Sequence, residues 1–571
     1  MQLLDWIVLC LTLLTIVVYG TLKTRGAKNA VDYLKGGSEA KWWTIGISVM
    51  ATQASAITFL STPGQAFNDG MGFVQFYFGL PIATVIICMV FIPIYHKLKV
   101  FTAYEFLESR FDLKTRTLTS VLFLIQRSLA AGITIFAPAI ILSSVLGWDL
   151  KTLNIIIGLL VIIYTVSGGT KAVNYTQKYQ MGVIFTGLII TFLIIISSLP
   201  DNVSFEKAIE IAGANDKMKI LDFSFDFDNR YTFWSGILGG TFLMLSYFGT
   251  DQSQVQRYLS GKSLKEMQMG MIFNGILKIP MQFFILFIGV MVFVFYQFNP
   301  SPLNFNRQAE KIVEQSERAK DYSDLKSSLD EVYYLKNEIT NEYLNDNKDD
   351  FKVEIKKLNK REREIRDNAK KIIDEVSLNS SKKTESNDKD YVFISFILDN
   401  LPKGLIGLLI AVILSAAMSS TASELNALAT TTTIDIYNRN RKTKSTEMHT
   451  VNATKIFTIM WGVLAISIAC VAYLADNLIQ LVNIIGSIFY GNVLGIFLIA
   501  FFIKYIKSNA VFVGALITQL IIIYIYYNDL VPYLWLNVIG ALTVILVSYL
   551  LQIINNLKKK KLHTSPQINR V

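Results

Sequence analysis

The sequence predicts an all-α polytopic membrane protein. Three observations carry this: long runs almost free of charge, Lys and Arg confined to alternate connections, and a single hydrophilic insertion between two apolar halves. Of 571 residues, 52% are hydrophobic and 17% charged, and mean hydropathy is +0.41. A soluble globular chain has roughly 45–50% apolar and about 25% charged residues. The average hides runs of spanning length, since about 20 apolar helical residues cross about 30 Å of hydrocarbon. Such runs lie at 3–20, 42–65, 73–98, 118–146, 152–169, 179–199, 232–250, 268–297, 396–434, 453–474, 478–504, 509–528 and 531–555, about thirteen transmembrane helices. The 396–434 run has room for a helix plus an interfacial segment. The first run has no Lys or Arg before Lys23 and no convincing cleavage site after it, so it reads as a retained helix rather than a signal peptide.

Orientation follows from the basic loops. Lys23, Arg25, Lys28, Lys35 and Lys41 follow the first run; Lys97, Lys99, Arg110, Lys114 and Arg116 follow the third. The bias continues through Lys171 and Lys178, Arg257, Lys262 and Lys265, the 439–444 cluster, Lys504 and Lys507, and a tail with Lys558 to Lys561. The opposite connections are poor: 66–72, 475–477 and 529–530 have no Lys or Arg, and 145–152 has only Lys151. An odd number of spans then puts the N-terminus outside and the C-terminus in the cytoplasm. The chain belongs in the cell membrane, the inner one in a Gram-negative cell. The net charge of +10 therefore reports orientation and excludes a nucleic-acid partner. Cys10, Cys88 and Cys470 sit singly in apolar runs, and His96, His449 and His563 are scattered, so neither a disulfide framework nor a zinc site is indicated.

The domain reading is transmembrane helices over 1–297, a charged insertion over 298–392, further transmembrane helices over 393–555 and a basic cytoplasmic tail over 556–571. In the insertion, Leu325, Leu329, Val332, Lys336, Ile339 and Tyr343 recur at helical spacing, as do Ile355, Leu358, Glu362, Ile365, Ala369, Ile372 and Val376. With the turn-like cluster 345–350 between them, they predict an antiparallel coiled-coil hairpin. Span parity places it outside the cytoplasm, because long loops cross regardless of charge. A spacer is the plainer alternative, and a docking partner for it stays unassigned.

Ionisable residues inside spans are costly and usually functional. Arg127, Glu424 and Asp251 are the ones that stand out. Their scarcity argues against a carboxylate-chain proton pump and against a membrane hydrolase. Two spans look broken. In the second, apolar packing stops at Ala51 to Ser55, and Pro63-Gly64 are expected to end the run; in the seventh, Gly239, Gly240 and Gly249 weaken the helix. Broken helices at corresponding places in two halves point to a transporter site, where freed carbonyls can bind a small hard cation. In the ninth span, Ala416, Ser419, Ser420 and Ser423 share a helical face. That pattern permits close helix packing or offers hydroxyl oxygens to such a cation.

Five segments carry a resemblance to a known family: SVMATQASAITFLSTPGQAF (48–67), FIPIYHKLKVFTAYEFLESRFD (91–112), YTVSGGTKAVNYTQ (164–177), GTDQSQVQRYL (249–259) and LPKGLIGLLIAVILSAAMSSTASELNALATTTTIDIY (401–437). The chain resembles the sodium/solute symporters, among them monocarboxylate, multivitamin, iodide, sugar, proline and sialic acid transporters. The resemblance covers nearly everything but the insertion. It implies a LeuT-like fold of two inverted five-helix repeats, spans two to six and seven to eleven. It implies a Na+ site made by the carbonyls of Ala51, Ala54 and Ala416 and the hydroxyls of Ser419 and Ser420. A second sodium site in some members uses an aspartate where this chain has Gln177, and Ala422 replaces a hydroxyl, so one sodium per cycle is expected.

The solute should sit beside the broken helices near the midplane. Its candidates are Gln53, Ser55 and Thr58, then Gln75 and Tyr77, then Gln126 and Arg127. Tyr247 matches the inner-gate tyrosine of sugar-transporting relatives. Arg127 could grip a carboxylate through two parallel hydrogen bonds, or be structural; the arginine with that role in sialic acid members aligns near Ala130. Gln53 and Gln75 could equally join helices. The functional expectation is a sodium-coupled secondary-active symporter importing a small organic solute (monocarboxylate, sialic acid or sugar-like) by alternating access. The competing reading is a sensor or receptor on a transporter scaffold that binds solute without accumulating it. An enzyme is not expected, since no nucleophile–base or metal constellation is present.

Overall fold

A computed structural model describes residues 2–24, 29–226, 229–346, 351–379, 384–441, 445–472 and 477–564. Among these, the one extended pairing is an isolated bridge between Ala40 and Gly261; the rest of the regular structure is helical. Among the described residues, ten helices are long and apolar enough to cross a membrane, which makes the chain an integral multi-pass membrane protein.

Helix α1 spans Leu3–Thr24, α2 Trp42–Gln53 and α3 Ala56–Asp69. A tight 3-10 stretch, Gly70–Tyr77, leads into α4 (80–98), which contains a π turn at Ile87–Phe91. Asp112 caps α5 (Leu113–Leu146) by accepting from the Thr115 amide, satisfying one of the free donors at a helix start. Two crossings follow, α6 (Leu150–Lys171) and α7 (Thr176–Ser197). They are kinked at Gly169, whose φ of 55° suits a residue without Cβ; a side chain there would also press on Tyr33. Helix α8 (Ser235–Gly249) opens with a π turn and stops at Gly249, and the chain restarts as a short helix, Gln252–Tyr258. Next come α9 (Leu264–Phe298), α10 (Ala319–Asp346) and α11 (Phe351–Asn379). The last five are α12 (Leu405–Thr431), α13 (Glu447–Val471), α14 (Leu478–Phe502), α15 (Ser508–Tyr527) and α16 (Tyr533–Thr564).

The centre of the bundle is α9 packed on α2 and α3, with α12 packed on α5, α6 and α7. Side chains such as Leu160, Ile163, Ile456 and Leu520 stay exposed, as an apolar surface facing lipid tails requires. Small residues set the close approaches. A Cβ on Gly289 of α9 would collide with the Pro63 carbonyl, and one on Gly64 with the Lys389 carbonyl. These contacts explain a departure from expectation: α3 does not end at Pro63-Gly64 but runs on to Asp69. Packing on both sides holds the helix through the proline, which removes one hydrogen bond. The 396–434 run is interrupted as well: a short helix, Val392–Asn400, is separated from α12 by a turn through Gly404, at φ 88°.

Helices α10 and α11 lie against one another around Leu329, Val332, Ile365, Ala369, Ile373 and Val376. Inside this pair Lys336 donates to Glu362 at 2.7 Å, and Arg366 reaches the same carboxylate at 2.9 Å. The unit is anchored to the end of α9, where the Tyr333 hydroxyl donates to the Phe298 carbonyl, and to the connection before α8, where Asn359 donates to Asn215. Of the turn-like cluster 345–350, residues 347–350 lie outside the described residues.

Candidate functional site

The break between α2 and α3 follows from its hydrogen bonds. In a continuous helix the Ser55 amide would bond the Ala51 carbonyl, and the Thr58 amide the Ala54 carbonyl. Here Ser55 N donates to Gln53 O at 3.1 Å and Thr58 N to Ser55 O at 3.0 Å. The carbonyls of Ala51 and Ala54 are thereby released, while both residues stay buried. Buried carbonyls without donors are costly, unless a ligand completes them.

Helix α12 presents its hydroxyls to this region. Thr52 Oγ1 and Ser423 Oγ are 3.2 Å apart across the α2–α12 contact. One turn back, the Ser419 hydroxyl is fully buried and has no partner among the described residues. Ser420 donates to Ala416 O at 3.0 Å and Ala417 O at 3.2 Å, which commits its proton and leaves lone pairs free. Released carbonyls and hydroxyl lone pairs are a hard, oxygen-only donor set, the chemistry that suits a small hard cation. Beside it, Gln177 donates to Thr52 Oγ1 at 3.1 Å and Ser423 Oγ at 3.3 Å and accepts from Ser48. A neutral amide there meets the hydrogen-bonding demand of three hydroxyls.

The three ionisable residues singled out from the sequence converge. Arg127 of α5 pairs with Glu424 of α12 at 3.0 Å through one NH group and with Asp251, just after α8, through the other. Tyr490 of α14 accepts from Arg127 at 2.7 Å and donates to Asp251 at 3.0 Å. The second Asp251 oxygen accepts from Ser253 N and Oγ. Tyr247 packs under the guanidinium, 5.6 Å from ring centroid to carbon, and its hydroxyl accepts from Gln254. Gln126 donates to Tyr490 at 3.4 Å. Arg127 therefore spends both NH groups inside the protein, joining α5, α12, α14 and the residues after α8.

The other candidates divide. Gln75 is occupied: its amide donates to Tyr231 O at 2.8 Å and accepts from Asp222 N at 3.0 Å, which fixes the segment before α8. Thr58 reaches Gln53 O at 3.5 Å, and Gln53 Oε1 is buried with no partner among the described residues. Ser55 starts α3 with no side-chain cap bond. Tyr77 is buried, with the Lys278 ammonium 5.9 Å from its ring centroid.

Lys278 escaped the sequence reading. It sits on α9 with Asn274 and Gln282, one turn to either side, and all three are fully buried. Lys278 Nζ, both polar atoms of Asn274 and Gln282 Oε1 have no partner among the described residues, while Gln282 Nε2 reaches Thr62 of α3 at 3.4 Å. The stripe meets α3 through Gln282 and Thr62, and the 3-10 stretch after α3 through Lys278 and Tyr77. Its signal in the sequence was a single lysine inside an apolar run, ILKIPMQFF.

The sequence pattern of the sodium:solute symporter family matches residues 33–319 and 376–554. The chain belongs to that family. Its symporters couple solute movement to Na+. The match skips residues 320–375, most of α10 and α11. Among relatives, the sodium-coupled monocarboxylate transporter 1 of Xenopus laevis is 33% identical over 276 residues, 47% of this chain and 43% of that protein. The chain thus spans less than half the length of that relative. The sodium/sialic acid symporter SiaT of Proteus mirabilis (strain HI4320) is 25% identical over 541 residues, 94% of this chain and 92% of that protein. A solved Na+-coupled sialic acid symporter in a substrate-bound, outward-open state superposes with a TM-score of 0.73 at 24% identity, covering 97% of this chain and 98% of that one. This family member shares that fold from end to end.

Proposed function

We propose that this protein is a sodium-coupled secondary-active symporter that imports a small organic anion by alternating access. The observation that carries this reading is the release of the Ala51 and Ala54 carbonyls beside a buried, unpartnered Ser419 hydroxyl. Together with Ala416 O and Ser420 Oγ they make the sodium site. Sodium entering it neutralises the exposed peptide dipoles and fixes α2 against α12, which orders the break and completes the solute site. One sodium moves per cycle, because Gln177 supplies an amide where a second ion would need charge. With one Na+ and one monovalent anion per cycle no net charge crosses the membrane, so the sodium concentration gradient is the driving force, and each tenfold gradient, about 1.4 kcal/mol, concentrates the solute about tenfold.

The solute site is read as the space bounded by Gln53, Ser55, Thr58, Tyr77 and the α9 stripe. A buried amine without a counter-ion favours a solute that brings a carboxylate, and Lys278 is the residue assigned to it. Among monocarboxylates, sialic acid and sugars, this selects the acids. Thirteen crossings are read in two inverted five-helix repeats, with α2 and α3 as one interrupted crossing, the N-terminus outside and α10–α11 outside the cytoplasm.

The test is uptake by proteoliposomes under an imposed sodium gradient, with labelled lactate, pyruvate, N-acetylneuraminate and glucose. Accumulation of one acid that needs sodium, and that Lys278→Met reduces at least tenfold, is the expected result. Binding without accumulation for every acid would favour a sensor. Accumulation of glucose alone would remove the role given to Lys278.

A further inference from the structure

The α10–α11 hairpin encloses a cavity of about 90 Å³ against the ends of α3 and α9. Five cations and two carboxylates line it. The carboxylates are already engaged. Glu362 holds Lys336 and Arg366, and Asp388 takes the Phe305 amide at 3.1 Å with Lys370 at 3.6 Å. Arg366 is further bound to the carbonyls of Pro302 and Leu303 and to Ser301 Oγ.

Lys217 and Arg363 remain without a carboxylate within 4.0 Å among the described residues. Lys217 is only 8% exposed, and its ammonium donates to the Asn68 carbonyl at 2.6 Å. Its ammonium lies 4.6 Å, and that of Lys336 5.9 Å, from the same Phe293 ring centroid. Two buried ammonium groups thus lie against one aromatic ring. Burial pushes the Lys217 amine down to about 8; nearby Asp69 opposes this, and Arg363 and Lys336 add to it. Asp69 itself is taken by Gln65 and Lys389. Positive charge is in excess in a partly desolvated space, and a buried charge calls for a counter-charge.

We propose that this cavity binds a small monovalent anion, a carboxylate or a halide, between Lys217, Lys336 and Arg363. The size suits such an ion and excludes a whole sugar acid. Bound there, the anion ties the hairpin to the C-terminal end of α3, since Lys217 also holds Asn68 and, through its carbonyl, the Met71 amide at 2.8 Å. The site is separate from the transport site, and its existence does not depend on the solute proposed above.

The experiment uses the full-length protein in nanodiscs, at constant sodium and ionic strength in gluconate, titrated with formate, acetate or bromide while thermal unfolding is followed. A saturable rise in Tm is expected. It should need at least tenfold more anion in Lys217→Gln/Arg363→Gln and be unchanged in Ser419→Ala. Should the double variant not fold, Arg363→Gln, at an exposed position, should still weaken binding several-fold. Saturation by bromide alone or by the carboxylates alone identifies the anion and supports the site. A non-saturating rise for every salt, saturation that the Lys217 and Arg363 variants leave intact, or loss confined to Ser419→Ala would each overturn it.

Discussion

Thr52 and Ser423, 371 positions apart in the chain, lie within 3.2 Å of one another through their hydroxyls. This contact brings the broken helix and the serine-bearing helix together, and it sets the first prediction. The Ser419 hydroxyl one turn away has no partner among the described residues, so Ser419→Ala should cost little stability, within about 0.5 kcal/mol. Its loss should nevertheless raise the sodium concentration needed for half-maximal uptake about tenfold, a change of about 1.4 kcal/mol. Ser420→Ala should show the same sodium defect together with a loss of stability, since Ser420 bonds two carbonyls of its own helix. Sodium titrations of uptake and thermal unfolding measure the two effects separately. An unaltered sodium requirement in both variants would remove these serines from the ion site.

Gln177 leads to a statement about stoichiometry. Its amide bridges Thr52 and Ser423 and receives the Ser48 hydroxyl. With one sodium bound per cycle, uptake should rise with sodium along a curve with a Hill coefficient of about one, the limit being the number of sites. Gln177→Ala should keep that coefficient and destabilise the protein by about 1–3 kcal/mol through its stranded partners. A coefficient near two for the unaltered protein would place a second ion in the bundle.

Arg127 distinguishes a solute ligand from a structural tie. With one NH group on Glu424 and the other on Asp251, Arg127→Met leaves two buried carboxylates uncompensated, a loss of about 3–5 kcal/mol. Arg127→Lys should not restore it, because one ammonium cannot span two carboxylates as a planar guanidinium does. Chemical or thermal unfolding in detergent gives the readout. A methionine variant as stable as the parent, but dead in uptake, would return Arg127 to the solute site.

Much of this was legible because the membrane imposes simple rules. Charge-free length marked the helices, and clustered small and polar residues at Ala51 to Ser55 marked the break that the hydrogen bonds display. The sequence also isolated Arg127, Asp251 and Glu424, but not their meeting, since the partners lie 124 and 297 positions from Arg127. Lys278 was missed because one lysine barely alters a run of apolar residues, and Asp435 because it falls one position past the 396–434 run. That buried carboxylate accepts from Thr102 at 2.8 Å and pairs with Arg116 at 2.6 Å. The course of α3 past Pro63 was beyond local rules, because Gly289 and the Lys389 carbonyl decide it from distant parts of the chain.

Within the hairpin, Lys336 and Glu362 occupy apolar-stripe positions on facing helices, which forecasts a pH dependence. Although burial works to raise it, Lys336 and Arg366 hold the Glu362 carboxyl well below its ordinary value of 4.5. A carboxyl depressed in the folded state contributes stability that is fully present above the unfolded value and is lost as pH falls through the folded one. The loss should therefore begin below about pH 4.5. Protection against hydrogen exchange in residues 319–346 and 351–379, taken relative to the intrinsic rate at each pH, should be high at pH 6 and fall as pH is lowered below that point. Glu362→Gln should remove this part of the pH dependence and be less stable at pH 6, because Lys336 keeps its charge.

The side of the membrane occupied by the hairpin decides whether span parity has been read correctly. Lys326 is exposed on α10, and the native cysteines, Cys10, Cys88 and Cys470, can be replaced by serine or alanine. In that background, Lys326→Cys should react with a membrane-impermeant maleimide added to intact cells or right-side-out vesicles. Lys507→Cys, on the connection before α15, should be protected until the membrane is permeabilised. The paired reagents control for each other, since a leaky preparation labels both positions. Labelling of Lys507→Cys alone would invert the whole assignment, because Lys and Arg set orientation through short loops and the long hairpin crosses wherever parity takes it. Labelling of both in sealed vesicles would instead mean an even number of crossings between them, and one of the five helices from α10 to α14 would then have to be reassigned.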